Sequence, residues 1–167
     1  MMWPSVALLL FVTLQRLGEL LYARRNTLAL LSRGAREVAA EHYPYMVMLH
    51  TVWLAGLWLL APDRSIDLLW FAVFMLLQLL RIWVLVTLKE RWTTRIIVLP
   101  NAPLVRSGPY RILRHPNYAI VIGEIAALPL AFGLPLYALA FSILNGVILT
   151  VRIRAENAAL SKAMLQA

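Results

Sequence analysis

The chain contains no cysteine among its 167 residues. That absence excludes disulfides, thiolate metal sites and cysteine nucleophiles together, and leaves the redox compartment undetermined. Histidine is nearly as scarce. His42, His50 and His115 fall in neither HExxH nor any other familiar ligand spacing, so no metal site is expected. There are 7 glycines, and none builds a Walker loop or a GxGxxG turn. An ordinary soluble Rossmann-type methyltransferase is thereby excluded. A Ser-His-Asp nucleophile arrangement is missing as well.

Apolar sequence is what the chain has in abundance. Hydrophobic residues make up 62% of it, well above the ~45–50% of an average soluble domain. One domain spanning 1–167 is expected, since no linker-like stretch divides a chain this short. Five apolar runs stand at about 3–22, 44–61, 66–88, 118–132 and 134–151. The first three approach the ~20 residues that a helix needs to cross the hydrocarbon core. The last two are shorter and meet at Gly133-Leu134-Pro135, an uncharged joint that reads as a helical hairpin. The expected fold is therefore an all-α integral membrane protein with about five transmembrane helices. Its first run is expected to be retained rather than cleaved, because no basic residue precedes the apolar stretch and no small-residue cleavage site follows it.

The formal charge of +8 points at first to nucleic acid, but its distribution does not. Arg24, Arg25, Arg33 and Arg36 lie in the first connection. Lys89, Arg91, Arg95, Arg106, Arg111 and Arg114 lie in the third, and Arg152, Arg154 and Lys162 follow the last run. The other connections hold only Arg64. This alternation follows the positive-inside rule and accounts for the charge without any nucleic-acid partner. It predicts an N-terminus outside, with the third connection and the C-terminus in the cytoplasm. Trp53, Trp58, Trp70, Trp92, Tyr22, Tyr43 and Tyr45 mostly fall near run ends, as interfacial anchors do.

Ionisable residues inside apolar runs are costly and mark either buried pairs or function. Arg16 and Glu19 stand at i,i+3 in the first run, and Gln78 and Arg81 repeat that spacing in the third. Both sets read first as polar contacts within the bundle, with contact to a substrate head as the second reading. Glu124 is a lone carboxylate in the fourth run, and Arg16 or Arg81 are its candidate partners. On the last run Asn145, Arg152 and Glu156 fall within ~40° of one another and form one polar stripe.

The connection 89–117 is long for so small a protein, and such loops are disproportionately functional. Residues 96–99 within it read as a short strand. It closes on Ser107-Gly108-Pro109-Tyr110-Arg111-Ile112-Leu113-Arg114-His115-Pro116-Asn117-Tyr118. His115 offers an acid, a base or a hydrogen-bond donor, and Tyr110 and Tyr118 offer stacking faces and hydroxyls. Pro116 suits the first position of the following helix, whose start favours an anionic group. A loop that binds lipid headgroups has the same composition, so both readings stand at this level.

That segment, followed by the apolar hairpin and by Arg152-Ile153-Arg154-Ala155-Glu156, resembles the isoprenylcysteine carboxyl methyltransferase family. Gln15-Arg16-Leu17-Gly18-Glu19 and Ala40-Glu41-His42-Tyr43 look similar to its small bacterial branch, associated with O-methylation of alkylpyrones made by type III polyketide synthases. The resemblance implies S-adenosylmethionine held on the cytoplasmic side and a lipophilic acceptor arriving sideways from the bilayer. Matching positions imply that Tyr110, Arg114, His115, Pro116, Asn117 and Tyr118 line the cofactor site. They place Arg152 and Glu156 beside the acceptor as the catalytic pair. Asn157 stands where a second acid often follows, and Ile120 where a glycine is common. Arg16, Glu19, Arg81, Glu124 and Asn145 are secondary candidates for substrate contact. Two rival functions remain at this level. One is an NADPH-dependent membrane reductase of sterol-reductase type. The other is a small transporter or scaffold with Arg16, Glu19, Arg81 and Glu124 as its polar path, which no internal repeat supports.

Overall fold

In this computed structural model the described residues are 2–165 apart from 101 and 104, with side chains as far as 159. Asn101 and the side chain of Lys162 therefore lie outside the described residues. Helix α1 (Trp3–Ser32) runs 30 residues, or about 45 Å, against ~30 Å of hydrocarbon core. The sequence reading stopped it near residue 22, because Arg24 and Arg25 end the apolar run. The helix continues because its pattern becomes amphipathic there. Ala23, Asn26, Thr27 and Leu30 are buried at i, i+3, i+4 and i+7, while Arg24 and Arg25 face outward. It stops where Gly34 turns left-handed at φ +86 and the Ala35 N–H returns to the Leu30 carbonyl at 3.1 Å.

Helices α2 (Tyr43–Leu60), α3 (Leu68–Leu88), α4 (Pro116–Ala131) and α5 (Pro135–Leu165) complete the bundle. Among the described residues, four of the five helices are long and apolar enough to cross a membrane, and α4 is the shorter fifth. At 16 residues, α4 rises only about 24 Å. Its hairpin with α5 turns on Gly133, left-handed at φ +66. The Leu134 and Gly133 N–H groups close back on Pro129 and Leu130, both at 2.9 Å. At the same end of the bundle Met2 N–H donates to the Pro62 carbonyl at 2.7 Å and Asp67 N–H to that of Ala131 at 2.8 Å.

The core between the helices is apolar, with Leu9, Val12, Leu57, Phe74, Ile125 and Leu128 at its centre. Two of the expected interfacial anchors belong to packing instead. Trp53 is 2% exposed within that core, and Trp92 is buried against Tyr22 with ring centroids 6.0 Å apart. A tryptophan near a run end packs inward when a neighbouring helix covers it, and sequence position alone does not reveal the neighbour. Tyr137 of α5 reaches α2 at Gly56. The Tyr137 hydroxyl occupies the space of a missing Cβ there and donates to the Trp53 carbonyl at 2.8 Å. Small residues permit such approaches in membranes. Gly56→Ala is expected to displace Tyr137 and cost about 1–3 kcal/mol, which thermal unfolding of detergent-purified protein would register.

At the opposite, basic end the 89–117 connection is folded across the helix ends. A two-stranded antiparallel pair joins β1 (Arg36–Glu37) to β2 (Ile97–Val98), in the register Arg36 to Val98 and Glu37 to Ile97. The short strand expected at 96–99 is present as its two central residues. The Arg95 guanidinium contacts both oxygens of Glu37 at 2.7 and 2.9 Å and lies 4.3 Å over the Tyr43 ring. Asn26 donates to the carbonyls of Lys89 and Trp92 at 3.0 and 2.9 Å. The overlong end of α1 therefore forms the platform on which the loop rests.

Candidate functional site

The loop reaches α4 through a short 3₁₀ turn, Gly108–Arg111, which Gly108 enters at φ +56 and Pro109 begins. The Thr87 hydroxyl lies where a Gly108 side chain would have to go. Pro116 then takes the first position of α4, with its fixed φ and no N–H to leave unpaired. His115 and Tyr118 come from the two sides of that junction and stack, with ring centroids 5.2 Å apart and planes 17° from parallel.

Arg152 and Glu156 arrive from α5. They do not form the direct surface salt bridge that their i,i+4 spacing allows. The Tyr118 hydroxyl stands between them, accepting from Arg152 Nε at 2.8 Å and donating to Glu156 Oε2. Arg152 NH1 donates to the Met46 sulfur at 3.0 Å, and its guanidinium carbon lies 5.4 Å from the Tyr118 ring centre. His115 Nε2 donates to Asn157 Oδ1 at 3.2 Å, because an amide oxygen only accepts. Its Nδ1 faces Glu156 Oε2 at 3.9 Å. Burial, reinforced by the Glu156 carboxylate, pushes the Tyr110 phenol up to about 12. Tyr110 therefore remains a protonated donor across the physiological range.

The structure thus brings together Arg152, Glu156, His115, Tyr118 and, through the field of Glu156, Tyr110. Asn117 Oδ1 is buried and has no partner among the described residues. Pro116 is buried, Arg114 is exposed, and Asn145 is buried further along α5. Two contacts were not foreseen. Met46 carries no signal in an apolar run, and Asn157 stood out only as a departure from a pattern. Ile120, the other departure, packs between helices beside Ala23, Val84 and Trp92.

A second polar cluster lies deeper in the bundle. Glu124 accepts from Arg16 NH2 at 2.8 Å, from Arg81 Nε at 2.8 Å, from Gln78 Nε2 at 2.8 Å and from Arg81 NH2. Glu19 accepts from Arg16, Arg81 and Gln15 at 2.9, 3.2 and 3.0 Å. Gln15 also donates to Gln78 Oε1 at 2.7 Å. Two guanidinium groups and two carboxylates cancel, so the cluster is formally neutral where α1, α3 and α4 meet. Arg16 and Arg81 both close on Glu124, the two partners that the sequence offered.

Among known proteins, residues 69–162 match the Isoprenylcysteine carboxyl methyltransferase (ICMT) family. That stretch takes in nearly all of α3, then the loop, α4 and most of α5, and leaves out α1 and α2. The uncharacterized protein YpbQ of Bacillus subtilis is 38% identical, with 97% of this chain and 98% of the relative covered. An uncharacterized protein of Haemophilus influenzae is 29% identical, with 82% of this chain and 83% of the relative covered. No solved structure matches.

Proposed function

We propose that this chain, which belongs to the isoprenylcysteine carboxyl methyltransferase family, transfers a methyl group from S-adenosylmethionine to an oxygen of a lipophilic acceptor. The acceptor is a prenylcysteine-type carboxylate or an alkylpyrone-type hydroxyl. The observation that carries the reading is the Arg152–Tyr118–Glu156 relay beside the His115 ring. It sets a buried cation and a carboxylate on either side of one phenol, at the junction of loop and membrane helices. In this reading the basic end of the bundle faces the cytoplasm and the N-terminus the outside, as the charge distribution favours.

The residues present suit the cofactor. Stacked His115 and Tyr118 offer a planar aromatic face, and the unpartnered Asn117 Oδ1 offers a buried acceptor for an amino group. Tyr110 supplies a protonated hydroxyl, with Arg114 and Pro116 completing the neighbourhood. The bound cofactor supplies a methyl group activated on a sulfonium. The remaining work belongs to the chain. Arg152 orients the acceptor oxygen and stabilises its negative charge through a charge-assisted hydrogen bond. Tyr118 fixes the Arg152 plane through Nε. Glu156 takes the proton when the acceptor is a hydroxyl, and a carboxylate acceptor needs no base. Exclusion of water by the bound acceptor and cofactor strengthens each of these interactions.

Calorimetry on the detergent-purified protein tests the cofactor. S-adenosylmethionine is expected to bind saturably, and His115→Ala to weaken it at least about tenfold, or ~1.4 kcal/mol. Binding of NADPH in its place would overturn the reading in favour of a reductase.

A further inference from the structure

Arg152 is 5% exposed, yet no carboxylate lies within 4.0 Å of it among the described residues. Its partners are a phenol and a thioether. Sulfur is a weak acceptor, and a buried guanidinium normally meets a stronger one. Met46 belongs to α2, outside the family-matched stretch, and its neighbours on that face share the deficit. Trp53 Nε1 is a buried donor with no partner among the described residues. His50 Nδ1 donates to the Met46 carbonyl at 2.8 Å, because a carbonyl only accepts, and Nε2 is left for a second partner. At 100° per residue, Met46, His50 and Trp53 fall within ~60° of one another and span about 10 Å of helix.

We propose that this inward stripe of α2 seats the polar head of the methyl acceptor, with the Met46 thioether holding, on Arg152, the place that the acceptor's oxygen takes. The inference rests on the methyltransferase reading above. Methionine suits a placeholder because its unbranched side chain swings aside at little cost and leaves a cation that a better acceptor can claim. The head that fits is elongated and carries at least two oxygens. One is anionic, or becomes so, and lies on Arg152; the other accepts from the Trp53 N–H. Specificity for the acceptor then comes from α2, while the cofactor is held by the loop and α4.

Two uncharged substitutions separate this seat from a packing role, because they move the acceptor KM in opposite directions. Met46→Leu removes the competing sulfur, and KM is expected to fall about two- to threefold. Met46→Gln places a stronger acceptor on Arg152, and KM is expected to rise about five- to tenfold. In both, S-adenosylmethionine affinity is expected to stay within about twofold, so that the KM shift reports on the acceptor. The probes are N-acetyl-S-farnesylcysteine and an undecyl hydroxypyrone, offered to the full chain in nanodiscs. A KM that moves the same way in both variants, or does not move in Met46→Gln, overturns the seat. If Met46→Gln does not fold, a rise or no change in KM for Met46→Leu overturns it alone. Wild-type protein that binds S-adenosylmethionine and methylates neither probe also overturns it. A wild type that fails to bind S-adenosylmethionine instead removes the methyltransferase reading beneath it.

Discussion

Arg152→Ala is expected to lower methyl transfer by about 10²–10³ or more, the loss typical of removing one aligned charge stabiliser. S-adenosylmethionine affinity is expected to stay within about tenfold, no more than ~1.4 kcal/mol. The separation follows from what the guanidinium touches. Its described partners are the Tyr118 hydroxyl and the Met46 sulfur; without it the Tyr118 hydroxyl keeps Glu156 as its partner and the ring keeps its stack with His115. Arg152→Lys restores the charge but not the fork, since one ammonium cannot hold Tyr118 and an acceptor oxygen in fixed planes. It is expected to recover only part of the rate. Tyr118→Phe keeps the stack with His115 and removes the hydroxyl between Arg152 and Glu156, so its rate is expected to fall between wild type and Arg152→Ala. Single-turnover kinetics beside cofactor titrations would check all three. Loss of cofactor binding together with turnover in Arg152→Ala would make Arg152 part of the cofactor pocket instead.

How much of this was legible depended on whether the signal was local. The spacing of Arg152 and Glu156 and the His115-Pro116-Asn117-Tyr118 run are each short stretches of contiguous chain, and the family match covers both. What the spacing could not say was that Tyr118 stands between the two α5 residues, because a side chain placed by another helix leaves no periodic trace. Met46 was invisible for the same reason, since methionine in an apolar run reads as membrane. The extent of α1 was misjudged through a length rule. The hydrocarbon core needs ~20 residues, but helix propagation does not stop at its edge. The stop signal was Gly34, and the amphipathic pattern of Ala23, Asn26, Thr27 and Leu30 lay ahead of it in plain sight. Arg16 with Glu19 was readable as a pair; that Arg81 also closes on Glu19, and both arginines on Glu124, is a fact of tertiary packing.

That deeper cluster carries the other large effect. Glu124→Ala is expected to destabilise the protein by about 3–5 kcal/mol, a large part of a typical folding free energy. The carboxylate accepts from two arginines and one glutamine. Its removal leaves Arg16 and Arg81 sharing Glu19 alone, with one uncompensated positive charge at the meeting of three apolar helices. Water cannot repair the deficit there as it would at a surface. Glu124→Gln keeps the size and one accepting oxygen but loses the charge, so its cost is expected to be smaller. Glu124→Leu combined with Arg81→Met removes one charge of each sign and leaves Arg16 with Glu19. It is expected to recover most of the lost stability, since apolar replacements of a buried pair are often neutral. Thermal unfolding in detergent would rank the four proteins. Cofactor affinity per folded molecule is expected to stay within about twofold throughout, because no described cluster side chain touches the Arg152 relay. A Glu124→Ala protein that kept its stability and its cofactor but lost turnover would instead give the cluster to the acceptor. The α2 seat would then extend from Arg152 down to Arg16 and Arg81.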